Sequence, residues 1–177
     1  MNTAWPGDLR IFGLRIFFII LFLLVIPLFA ITGFGMHPAF LGPVIGATAL
    51  FQAGAVGFAG PIGHPVYFFL AVVSIGLALI LMVFEVLDAI ATESKRVAGW
   101  IEAVDKRAQK ITFIEKYGVF TLIPLIWIPG IGLYGAVIIA WIFQWTRLHA
   151  IALLFTGWFV ACSAVLLVIM GVLQIIF

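Results

Sequence analysis

Apolar runs of about twenty residues, long enough to carry a helix across a bilayer core roughly 30 Å thick, recur along this chain. They cover about Ile11–Ile31, Ala39–Ala59, Val66–Ala89 and Leu148–Phe177. With 66% hydrophobic and 9% charged residues, the chain cannot cover a water-facing surface, for which about 25% charged is usual. An all-α integral membrane protein follows, with 177 residues forming a single membrane domain. The few basic residues exclude a nucleic-acid partner. Arg10 and Arg15 precede an apolar stretch too long for a signal-peptide core, and no small-residue cleavage site follows it.

The placement of charge sets the expected topology. Gly33 to Pro65 contains no Asp, Glu, Lys or Arg, whereas Ala91 to Lys116 holds Lys95, Arg96, Lys106, Arg107, Lys110 and Lys116. Short loops rich in Lys and Arg stay in the cytoplasm. The 91–116 loop is therefore expected inside, in a multi-pass protein of the cell (inner) membrane. Within it, Val97, Trp100, Ile101, Val104, Ala108 and Ile111 form an apolar stripe opposite Lys95, Arg96, Glu102, Lys106 and Lys110. That pattern predicts an amphipathic helix on the membrane surface, or a solvated linker helix.

A repeat links the two ends of the chain. Residues 26–36 read IPLFAITGFGM and residues 123–133 read IPLIWIPGIGL, with Ile26/Ile123, Pro27/Pro124, Leu28/Leu125, Ile31/Ile128, Gly33/Gly130 and Gly35/Gly132 identical. Each copy is followed by a shorter apolar stretch, a turn and one long span. Repeat 1 covers about residues 11–90 and repeat 2 covers 117–177, joined by the 91–116 linker. The run Tyr117–Ile128 is too short to cross at about 1.5 Å per residue.

If each helix–Pro/Gly break–helix unit dips into the membrane and returns, the two halves are inverted. Their breaks would then meet near mid-depth, where inverted-repeat transporters hold substrate. Pro27, Gly33, Gly35, Pro124, Pro129, Gly130 and Gly132 are the candidate path residues, because broken backbone offers polar groups that a substrate, water or ion can satisfy. The run Ile11–Ile31 is also long enough to span, in which case the Gly-rich run 39–59 dips in from outside by itself. In that run Gly42, Gly46, Ala49, Ala53, Gly57 and Gly60 share one helical face, a surface that suits close helix approach and a candidate homodimer contact.

The stretch Glu115-Lys116-Tyr117-Gly118, Ile123-Pro124-Leu125 and Ile128-Pro129-Gly130-Ile131-Gly132-Leu133-Tyr134-Gly135-Ala136 resembles the small multidrug export family of prokaryotic membrane proteins. That family looks like a distant relative of the DedA/VTT proteins. The resemblance covers about residues 16–177, most clearly 115–172. It implies paired re-entrant loops and a role in lipid translocation or proton-driven transport. The family's Glu-x-Arg-Gly-x-Ile-Pro motif is incomplete here: Ile26-Pro27 is present, but Leu21, Leu23 and Leu24 stand where the acid, arginine and glycine would be.

Among side chains, Glu85 and Asp88 are the acids inside an apolar span. Glu85 lies about 20 residues into its run, near the inner headgroups, and is read either as interfacial or as a proton or substrate contact. Arg147 is read as a topology anchor, with Trp141 and Trp145 in an aromatic belt, or as a cation for a lipid phosphate. His37 and His64 make a weak metal case, so no metal and no cofactor is expected. With no HExxH or GxSxG motif and no base near Cys162 in sequence, no catalytic residue is assigned and the chain is not expected to be an enzyme. The expectation is a small transporter or lipid translocase moving a small amphipathic or lipid-like substrate through a mid-depth cavity. A passive scramblase and a non-transporting scaffold are the alternatives. Membrane lipids are the expected partners.

Overall fold

A computed structural model describes residues 9–33, 35–58, 65–93, 126, 132–143 and 145–176, and these are built from helices and short turns. In chain order the helices are α1 (Leu9–Ile20), a π-helical turn (Leu21–Val25), α2 (Ile26–Thr32), a 3₁₀ turn (Pro38–Phe40), α3 (Leu41–Phe51), a 3₁₀ segment (Gln52–Phe58), α4 (Pro65–Glu93), α5 (Gly132–Ile142) and α6 (Arg147–Ile176). Four helical stretches are long and apolar enough to cross a membrane: Phe12–Thr32, Pro38–Phe58, Pro65–Ala91 and Arg147–Gly171. The chain is thus a multi-pass membrane protein in its helix lengths and composition. Residues 91–93 close α4. The rest of the 91–116 linker, with its expected amphipathic helix, lies outside the described residues, as do Pro124, Pro129, Gly130 and His64.

α4 is the centre of the bundle. Of its apolar window 61% is buried, against 17% for Phe12–Thr32 and 28% for Arg147–Gly171. A helix that is apolar on all sides belongs in the middle, and Phe68, Phe69, Ala71, Val72, Ile75, Ile80 and Phe84 are all buried. α6 packs on it through Ala150, Leu154, Trp158, Ala161 and Cys162, spaced three or four apart along one face. At the crossing, the Trp158 indole sits on the bare backbone of Gly76. A Cβ built there would come within 2.1 Å of the indole nitrogen, so only glycine fits.

The first helix is continuous through its π turn, and the reason is local. Pro27 has no N–H, and the Ile26 N–H bonds to Leu21 O, five residues back. The Phe22 carbonyl is thereby left without its usual helical donors. Ser74 of α4 donates to it at 2.7 Å, satisfying an acceptor that water could not reach in a bilayer. At the far end the helix stops after Thr32 with Gly35 at φ +76°. The Met36 N–H caps Ile31 O at 3.2 Å, a closure that favours glycine in the left-handed region.

α3, the middle of the Pro38–Phe58 stretch, and α5 are the short helices. Each has 11 residues, about 16 Å of helix. α3 ends at Gln52, whose φ of 53° and ψ of −130° is costly for a non-glycine residue. Beyond it the chain leaves the axis of α3: the Phe51 and Phe58 rings meet at 5.6 Å, whereas seven residues of straight helix would set them about 10 Å apart. The buried face of α3 is Val44 and Thr48, continued by Gln52. The glycine face is elsewhere: Gly42, Gly46 and Gly57 meet nothing within 4 Å.

Candidate functional site

Four helices bring their polar groups to one end of the bundle. Glu85 and Asp88 are three residues apart on α4 and so share a face. Arg147 opens α6, Trp141 lies in the last turn of α5, and Arg15 lies in α1. The Arg147 guanidinium donates to Asp88 Oδ2 at 2.7 Å and, in a very close pair, to Glu85 Oε1. Arg15 Nη1 donates to both Glu85 oxygens at 3.3 Å. Trp141 Nε1 donates to Asp88 Oδ1 at 2.8 Å, and the Arg147 guanidinium lies over the Phe84 ring, 5.5 Å from its centre. Among the described residues two cations meet two anions. Their side chains keep 16% (Arg147) to 36% (Asp88) exposure, so none of these pairs is fully enclosed by protein.

A second polar point lies deeper. Gln52 is 1% exposed, and its Oε1 accepts the Leu133 N–H at 3.1 Å, serving as a cap for the start of α5 supplied from a distant segment. One residue on, the Tyr134 hydroxyl donates to Ala49 O at 2.7 Å. The end of α3 and the beginning of α5 are therefore tied by two hydrogen bonds. Leu133 precedes Trp141 by about 12 Å of helix axis, which sets the junction apart from the charged cluster. Gln52 Nε2 is buried with no hydrogen-bond partner among the described residues, as is Trp158 Nε1. Phe51, Gln52, Ala53, Gly54, Ile126, Ala161 and Val165 line a partly open cavity of about 130 Å³.

The residues singled out by sequence fall into three groups. Glu85 and Arg147, read separately, are direct partners, and Arg147 is held by two carboxylates rather than presented to a phosphate. Gly132 is buried at the start of α5, next to the Gln52 contact. Gly33 and Gly35 are exposed at the end of the first helix, and Pro27 is buried within it. Of the repeat positions that are described, Gly33 and Gly35 lie at the exposed end of a helix and Gly132 is buried in α5. His37 caps the Pro38–Phe40 turn, accepting the Ala39 N–H at 3.2 Å.

Gln52, Ser74 and Trp158 went unremarked in the sequence, and Arg15 was read only for its place before the first apolar run. Gln52 carried a usable sign, being a long polar side chain in a charge-free apolar run. Arg15 pairs with an acid 70 residues away, a separation that no local pattern reports. Compared with protein families, characterised proteins and solved structures, the chain matches none, so the family resemblance rests on the quoted residues alone.

Proposed function

We propose that this chain is a small membrane transporter or lipid translocase that passes a small amphipathic or lipid-like substrate through the region where α3 and α5 meet. In this reading Phe12–Thr32 crosses the bilayer, and the 38–58 segment dips in from the outer face and returns. The chain ending in α5 dips in from the cytoplasmic face, so the two units are inverted. The charged end, next to the basic 91–116 loop, faces the cytoplasm. The resemblance to the small multidrug export family accords with such an arrangement.

One observation carries the reading: the buried hydrogen bond between Gln52 and the Leu133 N–H, which joins the helix interruption at Gln52 to the first residues of α5. Interrupted backbone at membrane depth is tolerated where it is buried in protein or lines a cavity, and both conditions meet at Gln52. A buried amide with a spare donor is costly to keep in an apolar interior, and a passing polar group would use it. The adjoining cavity, about 130 Å³, holds only part of an amphiphile, so passage requires the bundle to open.

The test is reconstitution into vesicles with fluorescent lipids and amphipathic cations as probes. Gln52→Leu should slow movement at least about tenfold, the loss expected when a hydrogen bond worth more than 1 kcal/mol is removed, while the purified protein stays monodisperse. Undiminished movement in this variant would overturn the reading. A passive scramblase is favoured by one feature: Glu85 and Asp88 are both engaged by guanidinium groups. Uphill accumulation under a proton gradient marks a coupled transporter, equilibration whatever the gradient marks a scramblase, and movement of neither probe marks a scaffold.

A further inference from the structure

We propose that the Arg15, Glu85, Asp88, Arg147 and Trp141 network is a gate that closes the charged end of the bundle, with Trp158 seated on Gly76 as the pivot about which it opens. This deepens the translocase reading and rests on it for its purpose, but opening can be measured without any substrate.

Three observations carry the gate. First, the bonds join the two halves of the chain. Arg147 of α6 reaches both acids of α4, and Trp141 of α5 reaches Asp88. Glu85 Oε1 accepts from Arg15 and Arg147 together, so losing that one carboxylate releases α1 and leaves α6 held to α4 by the Arg147–Asp88 pair alone. Second, the network is only partly enclosed. Every member of its ion pairs keeps 16–36% exposure, so if the charged end lies at the membrane boundary, as the translocase reading has it, hydration can replace the pairs as they part, which a dry apolar contact does not allow. Third, the packing changes character with depth. Towards the charged end, α5 and α6 bury the small side chains Ala140 and Ala150, which interdigitate little. At the Gly76 crossing the large Trp158 ring is fully enclosed and fits a notch that admits no Cβ. Contacts that are tight in the middle and polar at one end let helices tilt about the middle.

The test uses thiol labelling of the full chain in nanodiscs of phosphatidylcholine and phosphatidylglycerol. A cysteine at Ala150, fully buried three residues above Arg147, is introduced with Cys162→Ser and exposed to a membrane-impermeant maleimide. Glu85→Gln should speed labelling about tenfold, the population change that follows loss of a charge-assisted hydrogen bond. The double variant Arg15→Gln/Glu85→Gln removes one charge of each sign and should give the same acceleration, so a folding defect from unbalanced charge is separated from gating. Native Cys162, deep in α6 and fully buried, should stay slow in chains lacking the Ala150 cysteine. A rate equal to the parent's in both variants, or equal acceleration at Cys162, would overturn the gate. A chain that opens but moves no probe would refute the translocase reading instead.

Discussion

The junction at Gln52 and the cluster at Glu85 both tie the first half of the chain to the second, by opposite means. At Gln52 the link consists of neutral groups in an apolar interior: an amide oxygen on a backbone N–H and a tyrosine hydroxyl on a carbonyl. At Glu85 it is four charged groups that keep partial exposure. A neutral hydrogen bond shielded from solvent has no competitor and holds its geometry. An ion pair at the boundary trades its partner for water at small net cost. Fixed register in the middle and releasable contacts at one end are what a rocking bundle requires.

Substitutions that separate packing from polarity can break or sharpen this contrast. The largest effect is expected at the apolar crossing. Gly76→Ala drives a methyl group into Trp158 and should destabilise the fold by about 3 kcal/mol through overpacking, read as a shift in denaturant-induced unfolding in micelles. Next comes Arg147→Gln, which leaves Asp88 and Glu85 underpaired. At their partial exposure a loss of about 2 kcal/mol is expected, and raising the salt concentration should shrink the gap from the parent. If salt leaves that gap unchanged, the cluster is not behaving as a boundary network.

Ser74→Ala should cost about 1 kcal/mol, because the Phe22 carbonyl loses its donor. Hydrogen exchange at the amides flanking the π turn would rise if that account is right. The smallest effect is expected from Gly46→Leu, where nothing lies within 4 Å. Stability of the single chain should stay within about 0.5 kcal/mol. A change in oligomeric state on size exclusion would identify that face as a contact between copies.

Much of the frame was readable in the sequence because long apolar runs leave few choices. α4 and α6 follow the runs Val66–Ala89 and Leu148–Phe177 closely. The run Ala39–Ala59 shows where such reading stops. Its glycine periodicity assumed one continuous helix, but α3 stops at Gln52, and the buried residues of the run are Val44, Thr48, Gln52, Ala55 and Val56. Nothing local marks Gln52 as a helix break, because a glutamine reaches positive φ only when distant contacts compensate. Counting residues placed Glu85 near a boundary, in keeping with its partial exposure. Its two arginines come from helices that only the tertiary fold brings together.

The bond from Ser74 to Phe22 O has a consequence for how the chain is made. A helix carrying Pro27 enters the bilayer with one carbonyl facing hydrocarbon, a state that costs free energy until a donor arrives. That donor is supplied 52 residues later, on the helix that becomes the bundle's centre. The rotation of the Phe12–Thr32 helix about its own axis is therefore tied to the docking of α4 beside it.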